Sequence, residues 1–253
     1  MIVVVPVDPP REGLVLSSLV DETPLSAADA LAVYEAAVTD VLRAVDASGG
    51  ELLVNYRDAE TLPDAFADGD AEAEVRSLAT DALGDRAAES ADGDGVRFER
   101  QVGSSRAARV GNTVTHLLER EEADSVGVLE PTTPLVRRTE IDGAAMSIRR
   151  HDIVLGPASN GRAYFTCFRE PIDFSDAYAV PEVATLADRG VDSGLGIGFA
   201  PMLPTVATPA GLTATIATLE ARQHAETPGG EATAAVVDEL GLTVGADESL
   251  EWD

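Results

Sequence analysis

Residues 3–20, Val-Val-Val-Pro-Val-Asp-Pro-Pro-Arg-Glu-Gly-Leu-Val-Leu-Ser-Ser-Leu-Val, decide the fold. Ile2–Val7 is an apolar, largely β-branched run, the pattern of a central strand buried on both faces. A Pro/Gly loop, Asp8-Pro9-Pro10-Arg11-Glu12-Gly13, follows at once. Ser26-Ala27-Ala28-Asp29 then has the form of a capping box, with aspartate in the glutamate's place. Leu31, Tyr34, Val38, Val41, Leu42 and Val45 recur at helical spacing, and Gly49-Gly50 closes that helix. Leu52–Tyr56 reads as a second strand. Strand, helix, strand at this spacing makes a βαβ unit and hence a parallel sheet. In such folds a loop leaving the first strand often holds a phosphate. Here the loop carries Asp8 and no lysine.

Further along, Glu72–Leu83 reads as a helix and Val96–Gln101 as a short strand. Arg106–Arg120 is an amphipathic helix with Val110, Val114, Leu117 and Leu118 inward. Ser125–Leu129 is a buried strand ending at Glu130-Pro131-Thr132-Thr133-Pro134. Ile153–Leu155 and Tyr164–Phe168 form a strand pair around Gly156-Pro157-Ala158-Ser159-Asn160-Gly161. Helices are expected over 180–189, 209–221 and 231–240. Asp192–Phe199 contains Gly-x-Gly-x-Gly without the flanking strand and helix of a nucleotide loop, and reads as a loop or short strand entry. No repeat and no long linker divides the chain. The expectation is one α/β domain over 1–240, with a mixed, mostly parallel sheet between helical layers, and an acidic tail over 241–253.

Composition narrows the function classes. The 253 residues carry 45 acids against 18 basic residues, a net charge of −27, and all eighteen cations are arginine. Such a chain repels itself in dilute buffer, whereas molar salt screens the repulsion over about 3 Å. Because the acids are spread along the whole chain, the reading is adaptation to a salt-rich cytoplasm, in a halophile. The charge argues against binding nucleic acid or an anionic membrane, and no apolar run approaches the ~20 residues of a membrane helix. No basic segment precedes residues 2–7, so no signal peptide is expected. Cys167, the sole cysteine, reads as a small buried hydrophobe within Tyr-Phe-Thr-Cys-Phe. His116, His151 and His224 lack metal-ligand neighbours. No Gly-x-Ser-x-Gly elbow is present. Asp92-Gly93-Asp94-Gly95 reads as a turn or mobile loop without the longer ligand pattern of a calcium site. Asp173 with Asp176, and Arg149-Arg150-His151, read as solvated groups.

Taken in order, several segments resemble one family: GT-A-type nucleotide-diphospho-sugar transferase-like proteins, including glycosyltransferase-like proteins of the arsenosugar-biosynthesis type, with phospholactate guanylyltransferases as distant cousins. Asp8–Leu19 is similar to the family's Lys-Pro-Pro-x-x-Gly-x-Val-Lys-Thr-Arg-Leu. The helix after Ser26 and the strand at Leu52 follow. Gln101-Val102-Gly103 and the helix with Arg109 resemble the family's Gln-x-Gly segment. Val126–Pro134 is placed like the strand and turn that carry the metal aspartate. Val154–Gly161 is similar to Val-Leu-Gly-Pro-Ala-x-Asp-Gly-Gly, and Leu203–Pro209 resembles a late Asp-x-Asp-Thr-Pro stretch.

The resemblance implies a GT-A-like (Rossmann-like) three-layer fold. Its candidate nucleotide-binding positions are Pro9, Pro10, Arg11, Gly13, Arg109, Gly156, Asn160 and Gly161, with Arg162 as a further cation. The departures all remove charge that transfer chemistry uses. Asp8 and Leu16 stand for lysines, Ser18 for an arginine, and Thr132, Asn160, Thr205 and Ala207 for aspartates. Glu130 and Thr132 are left as the candidate metal ligands, and Mg²⁺ or Mn²⁺ is expected to be held weakly there. The favoured expectation is a glycosyltransferase-like protein with a degenerate site that binds a nucleotide, a nucleotide-sugar or a partner protein. A metal-independent glycosyltransferase using Arg11 and Arg109 is the alternative. A nucleotidyltransferase is the third, disfavoured by the lack of cations in residues 14–20.

Overall fold

Alternate residues of the first strand, β1 (Ile2–Val7), enter two different cores. Val3, Val5 and Val7 pack with Tyr34, Val38 and Val41 on one face of the sheet. Ile2 and Val4 pack with Val110, Val114 and Leu117 on the other. A strand covered on both faces is why this run is continuously apolar, and each valine contributes about 1.5–3 kcal/mol of burial. The structure is a computed structural model and describes residues 1–87, 95–247 and 249–252. Asp92, Gly93 and Asp94 of the expected Asp-Gly turn lie outside the described residues.

The remaining strands are β2 (Glu51–Tyr56), β3 (Arg97–Arg100), β4 (Val126–Leu129), β5 (Ile153–Pro157), β6 (Ala163–Phe168) and β7 (Ile197–Phe199). Together they make one seven-stranded sheet in the order β3-β2-β1-β4-β6-β5-β7. Only β6 runs against its neighbours, so the sheet is mixed and mostly parallel. From β1 the chain winds out through β2 and β3, then returns to place β4 on β1's other side. The order therefore reverses between β1 and β4. Their ladder pairs Ile2↔Val126 through Val4↔Val128. Pro6 lies beyond it, where the two strands part.

The helices are α1 (Ser17–Glu22), α2 (Ala27–Asp46), α3 (Ala71–Leu83), α4 (Arg106–Glu119), α5 (Arg138–Ser147), α6 (Glu182–Asp192), α7 (Pro209–His224) and α8 (Glu231–Glu239). The Ser26/Asp29 capping box is present: Asp29 N–H donates to Ser26 Oγ at 3.1 Å, and Ser26 N–H to Asp29 Oδ2 at 2.9 Å. Two helices were not foreseen. The short α1 is entered through Leu16 in a left-handed conformation. In α5 only Ile141 and Ala144 are buried, too sparse an apolar face to announce a helix. The α6 helix begins later than expected and runs to Asp192.

Residues 241–253, expected as an acidic tail, include a hairpin of β8 (Leu242–Val244) and β9 (Leu250–Trp252). Leu242 is buried with Leu19, Val33, Leu212, Ile216 and Val237 in a third apolar cluster, on the outer side of α2. Asp40 of α2 fixes α8 to that cluster. Its carboxylate accepts from Ala232 N–H (2.9 Å), Thr233 N–H (2.8 Å) and Thr233 Oγ1 (2.7 Å), capping α8 from a distant helix. Asp40→Ala leaves the fully buried Thr233 without these acceptors. The expected loss is about 3 kcal/mol, read as a lowered urea midpoint, with Asp40→Asn losing less.

Candidate functional site

A cleft of about 310 Å³ opens where β1 and β4 part, at the carboxyl ends of the parallel strands. Open α/β sheets bind ligands at this crevice, and the volume is at the lower end for small-ligand sites. Each strand end delivers polar side chains into it. Asp8 follows β1, Arg57 follows β2, Gln101 follows β3 and Glu130 follows β4. The first turns of α4 add Arg106 and Arg109. Arg162, Ala163 and Glu182 close one side, and Ser17, Ser18, Thr132, Thr205 and Ala207 the other.

Four arginines and three carboxylates thus share one cleft of a strongly acidic chain. Arg106 Nη2 donates to Glu130 Oε1 at 2.7 Å, and its Nη1 to Glu182 Oε1 at 3.0 Å. Arg162 Nη1 is 3.5 Å from the same Glu182 oxygen. Arg57 is held on the Thr61 carbonyl through Nε at 3.1 Å, with Nη1 3.5 Å from Asp8. Arg109 differs. Its Nε donates to Gln101 Oε1 at 2.7 Å, and no carboxylate among the described residues lies within ion-pair distance of it. Gln101 is itself buried and anchored, donating from Nε2 to Asn55 O at 2.7 Å.

The titrations follow from this crowding. Burial raises the pKa of Asp8, against the pull of Arg57 and Arg109. Burial likewise raises Glu130, opposed by Arg106. Burial and the neighbouring Arg57 make the Arg109 guanidinium less basic than usual. Burial works against the charge on Arg106, but Glu130 and Glu182 more than offset it. The hydroxyl of Tyr34, on the cleft floor, receives Asp8 N–H at 2.9 Å and donates to Asp8 O at 3.1 Å, and burial pushes its pKa well up.

Of the residues singled out from the sequence, Arg109, Glu130 and Thr132 line the cleft, as does Arg162. Pro9, Pro10, Arg11, Gly13, Gly156, Asn160 and Gly161 do not. Arg11 turns away to α3, where Nη2 and Nε make a bidentate pair with Glu74 at 2.7 and 2.8 Å. Gly13 serves the loop's turn at φ 78°. In β5, a Cβ on Gly156 would come within 2.8 Å of the Tyr164 ring. Asn160 (φ 58°) and Gly161 (φ 72°) make the left-handed turn into β6. The glycine loop is therefore a tight connection between strands, and it delivers Arg162. Of the seven positions where the resemblance lost charge, Asp8, Leu16, Ser18, Thr132, Thr205 and Ala207 all face the cleft. Arg57, Arg106 and Glu182 were missed. Arg57 carried the available signal, a lone cation directly after a strand.

The donor set does not fit a dedicated divalent-metal site. Glu130 is engaged by Arg106, Thr132 offers a neutral oxygen, and no group of three metal-ligating side chains occurs among the described residues. Mg²⁺ or Mn²⁺ placed there would stand beside several guanidiniums.

Because folding raises the Asp8 pKa, the folded state holds that proton to higher pH than the unfolded chain does. The charged form weighs against the fold above the ordinary value of 3.8, and the penalty lapses as pH falls. Asp8→Asn is expected to melt above the parent at about pH 7 and to converge on it near pH 4, followed by thermal melts across pH.

No protein-family profile matches the chain, and no curated protein matches it. Among solved structures it is similar to a protein of Desulfovibrio desulfuricans G20, provisionally described as a nucleotide-diphospho-sugar transferase. The identity is 18%, covering 94% of this chain and 93% of that one, with a TM-score of 0.71. It is also similar to a cytidylyltransferase of Leptospira borgpetersenii serovar Hardjo-bovis (strain JB197), at 10% identity, 94% and 93% coverage and a TM-score of 0.50. At these identities the likeness is one of fold: the chain shares its α/β architecture with these two structures.

Proposed function

We propose that the cleft binds the phosphate groups of a nucleotide or nucleotide-sugar, and that arginines meet their charge. Arg109 carries this reading. It is a half-buried cation beside two others, aimed by a buried glutamine and lacking a carboxylate partner among the described residues. A guanidinium so placed is destabilised by Arg57 and relieved by an incoming anion, to which it offers a planar donor fork. The position at the β1/β4 reversal supports the same ligand class, as do the fold's named relatives. The lost charges around Leu16, Ser18, Thr205 and Ala207 favour binding over the family's usual transfer chemistry.

Transfer from a nucleotide-sugar without metal is the second reading. Asp8 and Glu130 favour it, since two carboxyl groups with raised pKa facing one cleft are suited to taking a proton from an acceptor hydroxyl. A triphosphate substrate is less well matched, because the loop after β1 brings no cation to the cleft.

Thermal melts with UDP, GDP, CDP, ADP and their sugar conjugates test the binding reading. A ligand that binds only the folded state stabilises it by RT ln(1 + [L]/Kd), about 2.7 kcal/mol at a hundredfold excess over Kd. At least one of these is expected to raise the melting temperature. Arg109→Ala is expected to weaken that ligand about 10- to 100-fold by removing a charge-assisted contact. If none of the set shifts the melt, the reading is wrong.

A further inference from the structure

Arg106 stands where a nucleotide-transferring cleft would need a cation. Glu130, the carboxylate at the exit of β4, already has its Oε1 on Arg106 Nη2 at 2.7 Å. The guanidinium is gripped from the other side by Glu182 Oε1 at 3.0 Å. Its carbon lies 4.7 Å from the centre of the Tyr178 ring. Glu182 is itself buried and anchored: it is 1% exposed, and its second oxygen accepts Ala163 N–H at 3.0 Å. Three separate pieces of chain therefore fix the charge of Arg106 at the cleft wall.

We infer that Arg106 is a built-in cation replacing a divalent metal, so that the cleft takes a nucleoside diphosphate in its metal-free form. The inference rests on the nucleotide reading above and specifies the ionic form of the ligand. A guanidinium carries five N–H donors and no acceptor, and it stays protonated at any physiological pH. The two bonds to Glu130 and Glu182 fix its plane and leave further donors for an anion in the cleft. The pair of carboxylates, one of them shared with Arg162, holds Arg106 much as carboxylates hold a metal ion, with its charge compensated and its position set in advance. A Mg²⁺ ion entering here would have to take Glu130 from Arg106 and find the rest of its octahedron from Thr132 and water. It would also sit close to Arg57, Arg109 and Arg162, which line the same cleft. A metal-free nucleoside diphosphate, mainly a trianion at neutral pH, matches this inventory better than a metal complex does, since the cleft has one more guanidinium than it has carboxylates.

The test is calorimetric titration of UDP, GDP, CDP and ADP, first in EDTA and then in MgCl₂ or MnCl₂. The tightest of the four is expected to bind at least as tightly in EDTA as in MgCl₂ or MnCl₂, because no metal bridge contributes and free metal competes with the cleft for the diphosphate. Arg106→Ala strips two carboxylates of their partner and puts folding at risk, so Glu130→Gln is the decisive variant. If Arg106 is the cation, Glu130→Gln frees it toward the phosphate and binding tightens severalfold in EDTA. If Glu130 holds a metal, the same variant loses the metal-supported binding. Affinity that collapses in EDTA, or that Glu130→Gln abolishes in MgCl₂, overturns the inference while leaving the nucleotide reading intact. No binding of any of the four in either condition overturns this inference, and the nucleotide reading falls with it only if their sugar conjugates also fail to shift the melt.

Discussion

The guanidinium of Arg106 is shared between Glu130, at the exit of β4, and Glu182, in the first turn of α6. That one contact ties together the start of α4, the strand that flanks β1, and the helix that covers the far half of the sheet. Glu182 then reaches on to Arg162 and to the backbone of Ala163, where β6 begins. Buried ion pairs of this kind add little over well-packed hydrophobic side chains, yet removing one partner costs about 3–5 kcal/mol, because a charge is stranded. Their contribution is therefore geometric. They hold the mouth of the β1/β4 crevice open with charged groups in fixed positions, where an apolar core would have closed it.

Under the proposed reading, the same network explains how an acidic chain keeps a place for a phosphate. With 45 carboxylates against 18 arginines, the average surface repels anions. Screening by salt shortens that repulsion but does not create attraction. Attraction comes from bringing Arg57, Arg106, Arg109 and Arg162 to one cleft. Arginine rather than lysine suits this role. It resists loss of its proton on burial, and its fork can serve a carboxylate and an anion at once. Arg109, placed by Gln101 and pushed by Arg57, is the least compensated of the four.

Most of the fold was legible because the sheet is buried on both sides. That burial forces apolar runs at Ile2–Val7, Leu52–Tyr56 and Val126–Leu129, and it forces helical spacing in the segments between. The elements that escaped notice are those whose stability comes from elsewhere. The α5 helix presents only Ile141 and Ala144 to the core and leans on the Arg137–Glu140 contact. The hairpin after α8 has three-residue strands and a single deeply buried anchor, Leu242. Its acidity suggested a tail, but Leu242, with the partly buried Val244 and Leu250, docks it on α2's outer cluster.

The site was legible by segment and obscure by side chain, for a physical reason. Segment order and strand ends are properties of the backbone, which follows hydrophobic periodicity, so the loops after β1, β3 and β4 met as expected. Which way a loop arginine points depends on the nearest carboxylate in space, and sequence does not display that. Arg11 lies in the loop that should have held phosphate, yet Glu74 on α3 offers it a bidentate pair and draws it away. Arg106 lies on an ordinary amphipathic helix, yet Glu130 and Glu182 aim it into the crevice. In a chain with so many acids, each arginine has several possible partners. The carboxylates therefore sort the cations, some into surface pairs and four into the cleft, and the charge pattern of the cleft exists only after folding has made that choice.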